Sequence, residues 1–264
     1  MSIEKVSSKV WRATSEVGKL DIPHNLTTMT DLTTTSNAHE IQAQPTKPGV
    51  SPWLAKIVYP LGRYLVLPSF FREIEVIGQE YMPQTGAVIL APTHRARWDA
   101  LLIPYVAGRY ATGRDLRFMV SIDEMKGLPG WLIRRLGGFP IDTIKPGIST
   151  IRNSVDLLHR GEMLTIFPEG NIFRDGTLHP LRKGLARIAI QAVSLKSDLD
   201  LQVIPISLDY ENPIPKFRDR VSITIHKPLK VQDYQHLSSK SGAIELHEDL
   251  VRSLTKVWMM NLYH

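Results

Sequence analysis

From about position 70 onward, apolar residues recur in two kinds of run. FREIEVIGQE (Phe71–Glu80) alternates apolar and polar positions, the period of a strand with one buried face. GAVILAP (Gly86–Pro92) is apolar at every position over strand length, as a sheet covered on both faces requires. WDALLIPYVAGRY predicts a helix starting near Arg97, and LRFMVS (Leu116–Ser121) a short strand. GWLIRRLGGFPID predicts a helix stopped by Gly137 and Gly138 before an extended piece. GISTIRNSVDLLHRG predicts another glycine-stopped helix, and EMLTIFPEG (Glu162–Gly170) a buried strand. KGLARIAIQAVSL predicts a helix, with LQVIPISLDY (Leu201–Tyr210) and RVSITIHKPL as strands after it. The last helix sets Leu246, Leu250, Leu254, Val257 and Trp258 on one stripe. Alternating strands and helices predict an α/β fold, a largely parallel sheet flanked by helices.

The first part of the chain shows neither period. NLTTMTDLTTTSNAHEIQAQPTKPG is Thr-rich and short of aromatics, so residues 1–48 are expected to form a disordered tail. WLAKIVYPLGRYLVLPSFF (Trp53–Phe71) is apolar and aromatic, but Lys56, Pro60, Gly62, Arg63 and Pro68 interrupt it. A spanning helix needs roughly twenty apolar residues with few charges. Residues 49–72 are therefore expected to form an N-terminal interfacial helical segment, broken at Pro60 and Pro68, with its rings at the headgroup boundary of a membrane. Residues 73–264 would be the α/β domain.

Charge sharpens this picture. The 264 residues carry 32 Lys and Arg against 26 Asp and Glu, a net charge of +6. Residues 1–50 are balanced, so the excess lies in 51–264 and suits anionic lipid, phosphorylated substrates or nucleic acid. Nucleic acid is not expected, since no cluster interleaves aromatic with basic residues. The absence of cysteine excludes disulfides, thiolate zinc sites and a cysteine nucleophile. Neither G-x-G-x-x-G nor a P-loop nor H-E-x-x-H occurs, so no cofactor and no metal are expected. No secretory signal pattern opens the chain, which predicts a cytoplasmic location.

Two predicted strands end in polar clusters, APTHRARWD and IFPEGNIFRDG. Open α/β sheets bind ligands beyond the carboxyl ends of their strands. On one helix, positions i and i+5 lie about 140° apart. His94 and Asp99 therefore meet only if His94 sits in a loop and Asp99 in the first helical turn. Asp99 would then hold one ring nitrogen and leave the other to take a proton. With no G-x-S-x-G elbow and no cysteine, that proton would come from a substrate hydroxyl. The competing reading is a helix-capping aspartate beside a surface histidine. In the second cluster, Glu169 stands among Arg174, Arg182 and Lys183. One carboxylate amid several cations suits a phosphate-bearing alcohol; a solvated charged turn would look much the same.

H-x4-D (His94–Asp99), GGFPID (Gly137–Asp142), FPEG (Phe167–Gly170) and VIPISL (Val203–Leu208) stand in this order. The set resembles the glycerolipid acyltransferases, the 1-acyl-sn-glycerol-3-phosphate acyltransferase-like group, over roughly Phe71–Lys227. The resemblance implies an acyltransferase-like domain that moves a fatty acyl group from acyl carrier protein or acyl-coenzyme A to the hydroxyl of a lysophospholipid acceptor, lysophosphatidic acid above all. Glycerol-3-phosphate, another lysolipid, or a non-catalytic lipid-binding role are the alternatives. It implies His94 as base and Asp99 as its partner, with Arg97, Lys145, Glu169, Gly170, Arg174 and Lys183 binding substrate. It also implies a peripheral position on the inner face of a membrane. Two departures stand out. Thr93 and Ala96 flank His94 where the family often has Asn and a small hydroxyl residue. Thr143 follows the middle block where an arginine thought to contact phosphate is usual, with Lys145 two residues on.

Overall fold

The computed structural model describes residues 49–142 and 147–261, with side chains as far as Thr255. The tail expected over 1–48, Lys145, and the side chains of Val257 and Trp258 lie outside the described residues. The strands are β1 (Glu73–Ile77), β2 (Ala87–Pro92), β3 (Leu116–Ser121), β4 (Gly138–Ile141), β5 (Met163–Thr165), β6 (Leu201–Tyr210), β7 (Arg220–Ile225) and β8 (Leu229–Lys230). They form one sheet in the order β1-β7-β6-β2-β5-β3-β4, with β8 added to β6. All pairs are parallel except β6 with β7 and β6 with β8. The sheet is the largely parallel one that the patterning predicts.

Every residue of β2 is buried. Ala87, Ile89 and Ala91 enter one core and Val88 and Leu90 the other. Successive strand side chains point to opposite faces, so a continuous apolar run is what a sheet packed on both sides demands. On the first face lie α6 (Ile148–His159), α7 (Gly184–Leu195) and α8 (Ser239–Asn261), contributing Leu157, Leu185, Leu246 and Leu250. On the second, α2 (Leu67–Phe70) and α3 (Asp99–Ala107) contribute Leu67, Leu102 and Ile103. Burying each such side chain contributes roughly 1.5–3 kcal/mol. That reserve lets the strand tips hold charges that cost stability.

Register decides where the tips meet. β2 pairs in parallel with β5 through Val88↔Met163, Ile89↔Leu164 and Leu90↔Thr165. His94 stands four residues beyond Leu90, and Glu169 four beyond Thr165. Two segments far apart in sequence thus leave the sheet side by side. On the other flank of β2, the pair Pro92↔Ile206 brings the end of β6 to the same edge.

The N-terminal segment corrects one expectation. Helix α1 (Pro52–Pro60) runs on through a π-helical stretch, Leu61–Val66, into α2. Neither proline breaks it. Pro68 lies in the first turn of α2, where the missing N–H matters least. Pro60 is the last residue of α1, and beyond it the Leu61 N–H donates to the Ile57 and Val58 carbonyls, so the helix runs on into the π stretch. The segment also divides its apolar residues: Leu54, Ala55 and Leu67 are buried, whereas Trp53, Ile57, Leu61, Tyr64 and Leu65 are exposed. Among the described residues, no helix is long and apolar enough to cross a membrane.

Candidate active site

Asp99 opens α3 in its first turn, and His94 stays in the loop before it. The chain folds back so that His94 Nδ1 lies 2.8 Å from Asp99 Oδ2. That oxygen also accepts from the backbone N–H groups of Arg95 at 2.7 Å and Ala96 at 2.9 Å. Oδ1 accepts from the Tyr210 hydroxyl at 2.5 Å. Burial first, then the Asp99 charge, pushes the Tyr210 phenol above its ordinary range, which keeps it a donor. Asp99 is fully buried and its partners leave it little freedom. Since the carboxylate accepts on both oxygens, the facing Nδ1 is the donor and Nε2 keeps its lone pair. Among the described residues nothing bonds to Nε2, and the ring stacks on Phe167 with centroids 4.1 Å apart.

Glu169 does something other than the expected contact with substrate. Its side chain is wholly buried, and both oxygens accept from protein groups. Oε2 takes the His94 N–H at 2.9 Å and Arg95 Nη1 at 2.7 Å, and Oε1 takes the His179 N–H at 3.0 Å. The loop returns once more where the Phe173 N–H donates to the His94 carbonyl at 2.9 Å. Glu169 therefore stitches the two strand tips together. Removing one member of a buried, hydrogen-bonded ion pair leaves the other uncompensated, which is why Arg95 and Glu169 belong together.

A cavity of about 830 Å³ opens beside this network. His94 lines it, and so do Arg97, Gly170 and Lys183 of the residues singled out in the sequence. Most of the remaining lining is apolar, including Val58, Leu101, Phe118, Met119, Leu132 and Ile188. Arg97 is exposed and held by Glu124 at 3.1 Å through both guanidinium ends. That pairing raises its pKa. Gly170 has φ +72°, and a Cβ there would fall 2.3 Å from Arg182 Nε. Both the turn and the close approach of Arg182 need glycine. Arg174, expected among the substrate-binding residues, is exposed and absent from the lining. Among the described residues, no group of three His, Asp or Glu side chains could hold a metal ion.

Sequence reasoning gave no role to Arg95, His179 or Tyr210, and did not foresee that Phe167 stacks on His94. Arg95 sits inside the quoted motif, yet only the β2–β5 register shows that it faces Glu169. Tyr210 ends a strand whose alternate residues Ile206 and Leu208 share its core, so its face was legible but its partner was not.

The comparisons with known proteins follow the same residues. The chain is similar to 1-acyl-sn-glycerol-3-phosphate acyltransferase of Bacillus subtilis, 25% identical over 195 residues that make up 70% of this chain and 88% of that protein. It is similar to glycerol-3-phosphate acyltransferase of Alteromonas mediterranea at 29% over 147 residues, 53% of this chain but 17% of that one. In fold it matches the LPA acyltransferase PlsC from Thermotoga maritima, with TM-score 0.53 and 21% identity, covering 75% of this chain and 76% of that one. The family model for Acyltransferase matches residues 73–209, spanning both strand tips and the ordered pair His94–Asp99, and the chain belongs to that family.

Proposed function

We propose that the protein transfers a fatty acyl group from an acyl thioester, acyl carrier protein or acyl-coenzyme A, to the free hydroxyl of lysophosphatidic acid. The observation that carries this reading is the His94–Asp99 contact of 2.8 Å with Nε2 unengaged beside the cavity. The resemblance to a protein named for 1-acyl-sn-glycerol-3-phosphate supports the choice of acceptor. His94 Nε2 takes the hydroxyl proton as the oxygen attacks the thioester carbonyl. Asp99 holds the imidazolium that forms. The tetrahedral oxyanion collapses, the carbon–sulfur bond breaks, and the thiolate leaves with the proton that His94 returns. Arg97 stands at the cavity with its charge partly met by Glu124, a candidate for steadying the developing negative charge.

Lysolipid and product both partition into membranes, so an enzyme acting on them gains by docking there. The exposed apolar residues of the 52–66 segment, with Lys56 among them, suit an anionic lipid surface. Val58, Tyr59, Gly62 and Arg63 of the same segment line the cavity, which supports a direct route for lipid.

The test is turnover of a labelled acyl thioester by purified protein with lysophosphatidic acid, glycerol-3-phosphate and uncharged monoacylglycerol. Lysophosphatidic acid should be acylated fastest. A clear preference for glycerol-3-phosphate, the acceptor in other relatives' names, would move the assignment within the class. Absence of turnover with every acceptor would leave a lipid-binding domain.

A further inference from the structure

A second part of the chain also turns an apolar stripe outward. In the helix Gly127–Arg135, Leu128, Trp131, Leu132 and Arg135 stand at i, i+3, i+4 and i+7. A stripe at that spacing ordinarily faces a core. Here Leu128 is 77% exposed, Trp131 41% and Leu132 36%. Other residues make the inner face. Gly130 is buried so tightly that a Cβ on it would fall 2.1 Å from the Met125 carbonyl oxygen. Ile133 Cγ2 lies 2.3 Å from where a Cβ on Gly138 would stand.

The chemistry of the stripe selects its occupant. Residues 126–135 carry Lys126, Arg134 and Arg135, all exposed, and no acid. The acids just before them, Asp123 and Glu124, are paired with Lys126 and Arg97. The Arg135 guanidinium lies 4.6 Å from the Trp131 ring centroid. An indole with a cation beside it suits the headgroup boundary of a membrane. Nine residues of helix rise only about 14 Å, too short to span hydrocarbon, so this helix would lie in the interface. A second copy docked here by two-fold symmetry would set the same three cations against each other. An anionic bilayer meets them with opposite charge.

Placement gives the stripe a task. Leu132, Ile133 and Leu136 line the cavity that His94 lines, as do Val58, Tyr59 and Arg63 of the 52–66 segment. The two elements are joined at their ends. The Ser51 N–H donates to the Arg135 carbonyl at 2.7 Å, and Val50 forms a β-bridge with Leu136.

We propose that the helix Gly127–Arg135 is a second lipid-docking element, seating its own rim of the cavity on an anionic bilayer through Leu128, Trp131 and the basic residues. This rests on the reading of the protein as an enzyme of membrane lipids, but it is separable from the 52–66 segment. The chain has no cysteine, so a fluorophore sensitive to polarity can be attached at one chosen position. Leu128→Cys, Ile57→Cys and Ser197→Cys are labelled and mixed with phosphatidylcholine vesicles, with and without phosphatidylserine. Ser197 lies before β6, at the end of the sheet away from His94. The label at 128 should brighten and be quenched by spin-labelled lipid, while the label at 197 stays unchanged. Leu128→Ser with Trp131→Ser should lower vesicle affinity about tenfold or more, since both elements dock on one membrane. Leu132 is left alone because it lines the cavity. Arg134→Gln with Arg135→Gln should reduce the gain in affinity that phosphatidylserine brings. A silent label at 128 beside a responding label at 57 would overturn the second element and leave the first. Silence at both positions, or an equal response at 197, would overturn it as well. A label at 128 that responds to protein concentration without vesicles would replace lipid by a second copy. If the label at 128 enters the bilayer while the parent chain transfers no acyl group, the docking stands and the catalytic reading fails.

Discussion

The strand tips around His94 and the helical segment from Pro52 to Phe70 depart from the usual distribution of residues in opposite directions. At the tips, Asp99, Glu169 and Arg95 are buried, although charged side chains are almost never fully buried unless paired. In the segment, Trp53, Ile57, Leu61, Tyr64 and Leu65 face outward. Contiguous exposed apolar surface marks a place where something docks. The tips hold their charges because each carboxylate oxygen meets a donor. Among the described residues the helix has no such internal answer, and on the proposed reading a lipid surface supplies it. One region holds the proposed proton acceptor; the other is the surface proposed to meet lipid. The cavity, lined by His94 and by Val58, Tyr59 and Arg63, touches both.

The sharpest way to break this comparison is to remove the base. His94→Ala should lower acyl transfer by about 10²–10⁴, while the protein stays folded, since the buried Asp99 keeps its Arg95, Ala96 and Tyr210 donors without the ring. Asp99→Asn should be comparably severe, because the amide presents a donor where backbone N–H groups and Nδ1 already donate. Near-normal rates in purified His94→Ala protein would sink the mechanism.

Next comes the ion pair behind the base. Arg95→Met or Glu169→Ala should cost about 3–5 kcal/mol of stability, the effect of leaving one buried charge alone, read as a lower urea midpoint. The double variant Arg95→Met with Glu169→Leu should recover much of that loss, because two apolar groups leave no orphaned charge. Activity should stay low in the rescued protein, since the His94 N–H has lost its acceptor on Glu169. Rescue of rate together with stability would show that Glu169 does not position the base.

How much of this was legible differs between the two strand tips. Helix geometry alone excludes a His94–Asp99 contact within one helix, so the loop-plus-first-turn arrangement could be read from spacing. Buried strands could be read from GAVILAP and EMLTIFPEG. The role of Glu169 could not, because it depends on the register that sets Leu90 opposite Thr165. Nor could Tyr210, which reaches Asp99 across 111 positions. The same limit holds for the cations after FPEG. Arg174 and Arg182 look alike as cations after FPEG, and only the fold leaves one exposed outside the cavity and lays the other over Gly170.

A smaller effect tests that distant contact. Tyr210→Phe removes the donor to Asp99 Oδ1 and little else. A hydrogen bond to a charged group contributes about 1.5–3 kcal/mol. Turnover should fall within that range, while the Michaelis constants for donor and acceptor hold. Constants that rise with no change in turnover would place Tyr210 in substrate binding instead.

The smallest change in the catalytic centre, and the one that isolates the other region, is made on the helical surface. Trp53→Ser with Ile57→Ser and Leu61→Ser removes exposed apolar area without opening the core, since Leu54, Ala55 and Leu67 hold the inner face. Leu54 stays untouched because it is buried. Full burial of such side chains contributes roughly 1.5–3 kcal/mol each, so partial burial of three in a lipid interface should change vesicle affinity by about tenfold or more. Flotation with vesicles containing phosphatidylserine reads it directly. The parent should float, less well at high salt because Lys56 meets screened headgroups. The triple variant should stay in solution with an unchanged thermal midpoint and an unchanged rate on a short-chain, water-soluble acceptor. If it floats like the parent, the exposed stripe is not the docking surface. If its rate on the soluble acceptor falls as far as its flotation, the stripe shapes the cavity and the two regions are not separate.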